Sequence, residues 1–430
     1  MTPPVAILSP SASASAGVDH AAERLSNISL DSKRDEARSL VFPTAPGRFN
    51  PKTQKAPIDG KDVTKEYIET PFDEDKYEFK DLLPHFPDIK WAPLEYEDQE
   101  DVAFRADPTY RNLWKYVDEV EHLTPKFGSV LYGVDVAALD EKAQDELARF
   151  IAFRGTVFVR NQRNLDIKSQ LKLGRRWGRL HRHATTGLPR GAAQDPDLYD
   201  VHVVYASPSR VPSLAFTQTN MWHSDVTYEK QPAAYTSLKL LEGPEHGGGD
   251  TLWSNGYALY DSLSKPLQEY LSKLTALHSA EEQANGAIKS GNTVRRDPIV
   301  TEHPLVRTNP VTGFNSIFVN PGFTRKIVGV PKAESDAILN LLFTELATNV
   351  INSVRWKWQK DDVAFWDNRS TAHSASFGFY PHARHAVRVT THGETPSFSE
   401  SGKSQQDTFD AELGITSYTK DVARAPVYND

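Results

Sequence analysis

Two hydrophobic rhythms run along the chain from residue 123 onward. Over 138–152 apolar residues recur at helical spacing, with Leu139, Leu147, Phe150 and Ile151 on one side and acids opposite, which predicts an amphipathic helix. Gly155-Thr156-Val157-Phe158-Val159-Arg160 predicts a buried strand, and 164–178 a second helix closed by its terminal glycine. Beyond residue 200 period-two runs dominate, at 201–205, 234–241, 303–307, 315–319 and 354–358. Helical spacing returns over 254–277 and over 332–348, where Ile338, Leu341, Leu342 and Leu346 face inward. Strand and helix alternate and then strands prevail, so the pattern predicts a mainly β core with flanking helices. The polar stretch 281–300, with Gly286 and Gly291, reads as a long loop, a lid or a plain surface excursion alike.

Ahead of this body the rhythm is missing. Residues 1–60 open on small, low-complexity sequence such as Ser9-Pro10-Ser11-Ala12-Ser13-Ala14, which predicts a disordered or extended arm carrying one short charged helix over 21–40. No basic stretch precedes an apolar run there, so no signal peptide is expected. Residues 61–125 are acidic, aromatic and broken by proline, as expected of an extended wrapping segment. The body is placed at 126–396, and 397–430 is read as a polar, irregular tail.

Composition narrows the class. The 430 residues carry a formal net charge of -8, which excludes a general nucleic-acid binder, and no apolar run is long enough for a transmembrane helix. Any anion must therefore be held by a few placed arginines and histidines. Cysteine is absent, which removes disulfides and thiolate ligands together and fits a reducing, cytoplasmic setting.

The candidate chemistry begins at Trp222-His223-Ser224-Asp225-Val226-Thr227. Read as a strand, His223 and Asp225 share one face, and His373, in a later strand-like run, supplies a second imidazole. Two histidines and one carboxylate leave open positions on a metal, the arrangement of non-haem Fe(II) oxygenases. The alternative is a chance tripeptide and a core histidine. Arg384 and Arg388 follow His373 at even spacing on an apolar strand, so they share a face. A buried guanidinium fork matches a carboxylate or sulfonate. With iron nearby, Arg384 would hold the distal carboxylate of a chelating 2-oxoglutarate. The alternative for this pair is two solvated arginines on an edge strand.

At these residues the sequence resembles the taurine dioxygenase-like (TauD/TfdA) Fe(II)/2-oxoglutarate-dependent dioxygenases, in particular their fungal sulfonate branch. The resemblance spans about 84–396 and rests on the His223 motif, on Gly247-Gly248-Gly249-Asp250-Thr251-Leu252-Trp253, and on Trp366-Asp367-Asn368-Arg369 with His373, Arg384 and Arg388. It implies a double-stranded β-helix (jelly roll) with Fe(II) on His223, Asp225 and His373, and 2-oxoglutarate on Thr251 and Arg384. It further implies O2 as co-substrate, and His183 and Arg388 against a small anionic substrate. Thr219 and Asn220 are expected to line that pocket, and His202 is given no chemistry. The implied reaction hydroxylates taurine or another alkanesulfonate, with release of sulfite, aldehyde, succinate and CO2. An alkyl sulfate or a carboxylate would serve the same pocket. Two further readings remain: a jelly-roll binding protein without catalysis, and a zinc hydrolase, which leaves Arg384 without a purpose. A homodimer or homotetramer is implied as well, with no nucleic-acid or membrane partner.

Overall fold

The computed structural model describes residues 72–207, 221–244, 247–379 and 382–415. The readings for 1–60, including its short helix, and for Thr219 and Asn220 lie outside them.

Ten strands make two facing sheets: β1 (Glu119–His122), β2 (Ser129–Tyr132), β3 (Thr156–Val159), β4 (His202–Ala206), β5 (Ala233–Glu242), β6 (Thr251–Asn255), β7 (Ser353–Trp356), β8 (Val363–Asp367), β9 (Thr371–Ala375) and β10 (Arg384–His392). The larger sheet runs β1-β2-β3-β8-β5-β10-β4 and the smaller β7-β6-β9. Only β2 and β3 pair in parallel within these two sheets. This is the double-stranded β-helix that the sequence predicts.

Residue choice in β8 shows why the sheets stack as they do. All five of its residues are buried, as expected of a central strand covered on both faces. Ala364 and Trp366 point between the sheets, among Phe158, Trp253, Trp356 and Ala386. Val363 and Phe365 point the other way, onto helices α1 (Glu141–Arg154) and α2 (Ile167–Trp177) through Leu147, Ile151, Leu173 and Trp177. Both helices start on an aspartate whose carboxylate caps the first turn, Asp140 on the Ala143 N–H and Asp166 on the Ser169 N–H. The smaller sheet buries its outer face through Leu252 and Ala372, against Leu342 and Leu346 of the Lys332–Thr348 helix.

Three local expectations are corrected. Residues Glu281–Lys289 form a helix rather than a loop, although only Ala284 and Ala287 of it are buried. Its apolar stripe is too slight to stand out in the sequence. The helical span at 254–277 divides into helices Gly256–Ser262 and Lys265–Leu271 and then a strand, Thr275–Ser279. The tail holds a helix at Gln405–Glu412, capped by Ser404.

The segment ahead of β1 is held to the body by buried charge. Arg369 is 1% exposed; it grips Asp367 beside it and reaches Asp101 at 2.6 Å and Glu394 at 3.4 Å. Replacing Arg369 by leucine strands these carboxylates, and a loss of about 3–5 kcal/mol is expected. Denaturant unfolding reads it directly, and a loss below about 1 kcal/mol would contradict the assignment.

Candidate active site

The two histidines are brought together by backbone, not by side-chain attraction. His223 and His373 exchange N–H···O=C bonds of 2.9 and 2.7 Å, an isolated antiparallel bridge. His373 sits in β9 opposite Trp253 of β6, so the smaller sheet fixes one ligand and the bridge fixes the other. Their rings lie 4.2 Å apart. The His223 Nδ1–H donates to the Met221 carbonyl at 2.8 Å, which leaves Nε2 with a lone pair for a ligand.

The expectation that His223 and Asp225 share a strand face is corrected here. The strand-like pairing covers His223 alone, and a turn begins at Asp225. Val226 has φ +47°, a conformation costly for a β-branched residue and a form of strain that clusters at functional sites. The turn still delivers the carboxylate. Asp225 Oδ1 lies 3.8 Å from His223 Nε2 and 3.7 Å from His373 Nε2, and the three donor groups fall within 4.8 Å of one another. An ion with bonds of about 2.1 Å can bridge atoms up to about 4.2 Å apart.

A network the sequence did not announce aims that carboxylate. Asn368 accepts the Asp225 N–H at 2.9 Å and the Trp366 indole N–H at 3.0 Å, and donates to the Thr236 hydroxyl at 2.8 Å. Thr236 in turn donates to Asp225 Oδ2 at 3.0 Å. His373 is 2% exposed, and neither ring nitrogen has a hydrogen-bond partner. Buried polar atoms left so cost about 1–3 kcal/mol each, which a metal ion on Nε2 would relieve. Burial, and then the neighbouring His223, also push the His373 pKa well below its ordinary value, so the imidazole is neutral as a ligand must be.

Beyond the triad the site is cationic. Arg384 and Arg388 share the inner face of β10 with Ala386, as expected. Arg384 is 6% exposed; its Nε–H donates to the Gly249 carbonyl at 3.2 Å and its guanidinium lies 5.7 Å from the Trp358 ring. No carboxylate pairs with it among the described residues. Burial pushes its pKa down to about 10, so it stays charged at neutral pH. Gly247, Gly248 and Gly249 all adopt positive φ, and a Cβ on Gly249 would come within 2.9 Å of the Arg384 Cδ. The run is a wall built for close approach rather than a phosphate cradle. Thr251 follows, its hydroxyl accepting the Trp358 indole N–H at 3.0 Å and keeping its own proton to donate. Trp358 thus joins Thr251 to Arg384, a link made across strands.

Arg388 has a partner that the sequence did not predict: its Nη1 donates to Asp225 Oδ1 at 2.5 Å. Its Nε is buried without a partner. His183 lines the same small cavity as Asp225 and Arg388. Its Nδ1 accepts the Thr185 N–H, so the proton sits on Nε2, ready to donate. His202, to which the sequence reading gave no chemistry, lines this cavity too. On the far side Gly322 approaches so closely that a Cβ would meet the His223 Cβ at 2.9 Å, and the Phe323 ring stands edge-on 6.0 Å from the His223 ring.

The profile of a family described as "Taurine catabolism dioxygenase TauD, TfdA family" matches residues 119–390. A "Putative alpha-ketoglutarate-dependent sulfonate dioxygenase" of Schizosaccharomyces pombe is 42% identical over 325 residues, covering 75% of this chain and 81% of its own. The alpha-ketoglutarate-dependent sulfonate dioxygenase of Saccharomyces cerevisiae is 37% identical over 334 residues, with 75% and 79% covered. Among solved structures, a taurine dioxygenase from Burkholderia xenovorans superposes with a TM-score of 0.54 at 30% identity, over 66% of this chain and 94% of that one.

Removing the support for Asp225 tests the network. Asn368→Ala is expected to weaken Mn(II) binding about 10- to 100-fold by calorimetry. Unchanged affinity in folded protein would assign Asn368 to packing alone.

Proposed function

We propose that this chain, which belongs to the taurine catabolism dioxygenase TauD, TfdA family, hydroxylates an alkanesulfonate such as taurine at the carbon bearing sulfur. It is a 2-oxoglutarate-dependent dioxygenase, and in this reading Fe(II) is its metal, on His223, Asp225 and His373. The observation that carries the metal assignment is the buried His373, its nitrogens unpartnered and its Nε2 turned toward Asp225. Iron, when bound, would supply O2 activation coupled to oxidative decarboxylation of 2-oxoglutarate to succinate and CO2.

The chain's own residues bind, orient and shield. Arg384 takes the distal carboxylate of 2-oxoglutarate, and the Thr251 hydroxyl donates to the same co-substrate. Arg388 and the His183 Nε2–H hold the substrate's anionic head. Trp366, with its ring 4.9 Å from that of His373, and Phe323 beside His223 keep water from the reacting carbon. The hydroxylated carbon then forms its carbonyl as the hydroxyl gives up its proton and the C–S bond breaks. The electron pair leaves with sulfur as sulfite, and an aldehyde remains.

The catalytic body in this reading is 126–396, joined at its edge by β1 from the segment before it. The absence of cysteine suits a reducing cytoplasm, and a closed homodimer or homotetramer is the expected assembly. Among the described residues no helix is long and apolar enough to cross a membrane.

The test is anaerobic reconstitution with Fe(II), then addition of O2 and 2-oxoglutarate with a panel of alkanesulfonates, alkyl sulfates and carboxylates. Succinate and sulfite rising together with a sulfonate is the expected result. Succinate coupled only to a sulfate or carboxylate would overturn the substrate, and no retained iron in folded protein would overturn the enzyme. His373→Ala is expected to abolish both metal retention and succinate, whereas Arg384→Ala should raise the KM for 2-oxoglutarate about 100-fold or more.

A further inference from the structure

His202 is a polar residue in an inner position of the larger sheet that the reaction as described leaves unused. It opens β4, the edge strand beside β10, and its Cα is the direct register partner of Arg388. Its ring lies 5.0 Å from that of His183, centre to centre. With His183, Arg388 and Asp225 it lines one cavity, so it faces the head-group side of the metal triad. Among the described residues its ring nitrogens have no hydrogen-bond partner, in contrast to His181 next door, which bonds Glu229 at 3.2 Å. A half-buried imidazole aimed into a polar cavity with nothing to bond is a donor kept for a ligand.

We propose that His202 is a specificity-determining residue which, with Arg388 and His183, presents three donor groups to the three oxygens of a tetrahedral sulfonate or sulfate monoester. This rests on the dioxygenase reading above and deepens it by naming the class of anion. A planar carboxylate takes its donors close to one plane, whereas a tetrahedral head receives donors from three directions. The three come from separate segments: Arg388 from β10, His202 from the facing edge strand, and His183 from the irregular run before it. Burial lowers the pKa of both histidines well below the ordinary value, so each donates one N–H without adding charge. Only Arg388 is cationic, and it is shared with Asp225. Such a pocket suits a monoanion and disfavours a dianionic phosphate.

The experiment compares the Fe(II)-loaded wild type with His202→Leu, His202→Val and His202→Gln. It measures KM and kcat for an alkanesulfonate, an alkyl sulfate and the matched carboxylate, along with the KM for 2-oxoglutarate. Loss of a hydrogen bond to a charged group predicts a sulfonate KM raised roughly 10-fold or more in His202→Leu. The kcat, the carboxylate KM and the 2-oxoglutarate KM should stay within about twofold on the same grounds. His202→Gln, which keeps an N–H, should recover most of the loss, and His202→Val serves if the leucine variant does not fold. A sulfonate KM unchanged in both apolar variants overturns the proposal, as does an equal change for all substrates. The two readings separate cleanly. A wild type that turns over only sulfate esters overturns the sulfonate reading but supports the role of His202 if the apolar variants raise that KM. One that turns over only carboxylates overturns both.

Discussion

Everything at this site hangs on two reciprocal backbone hydrogen bonds between residues 150 positions apart in the chain. They tie His223 to the strand carrying His373 and so close the mouth of the smaller sheet at one point. Because the bonds are made by peptide groups, they do not depend on the imidazoles they position. The frame is prior to the ligands. Asp225 needs more help, since it stands on a turn, and it receives three contacts, from Asn368, Thr236 and Arg388. With its backbone N–H held by Asn368 and each carboxylate oxygen met by Thr236 or Arg388, the side chain loses little rotational freedom on taking up an ion, which is how a protein prepares a site before loading it.

The buried arginines divide by what faces them. Arg369 is surrounded by Asp367, Asp101 and Glu394, and Arg307 by Glu394, so each charge is met inside the protein. These are struts. Arg384 is nearly as buried, yet among the described residues a carbonyl and an indole ring meet it and no carboxylate pairs with it. A guanidinium desolvated without a paired carboxylate is costly unless an anion arrives, so its surroundings beside the triad, rather than its depth, mark it as a candidate binding group.

Much of this was legible in the chain and some could not be. The face shared by Arg384 and Arg388 follows from strand alternation, and the existence of the 332–348 helix from its period, because both are local; its inward face is corrected at Leu341, which is exposed, while Leu339 is buried. The His223–Asp225 relation was right in outcome and wrong in cause: a positive φ at Val226 is invisible in a sequence that favours a strand there. Asn368, Thr236, Trp358 and His202 escaped for one common reason. Each acquires its role from a neighbour on another strand, and pairing register is set by the whole fold rather than by nearby residues. The helix at Glu281–Lys289 escaped for the opposite reason, having too little buried surface to leave a pattern.

The wall of Gly247, Gly248 and Gly249 does more than admit Arg384. With the Gly249 carbonyl on its Nε and Trp358 across its plane, the guanidinium cannot slide along β10. The triad at the other end is equally fixed. In the reading proposed above, a guanidinium held in this way decides where the far end of the co-substrate must lie before its other end can reach the triad. The co-substrate is then placed by its two ends, and the chain between them requires no contact of its own.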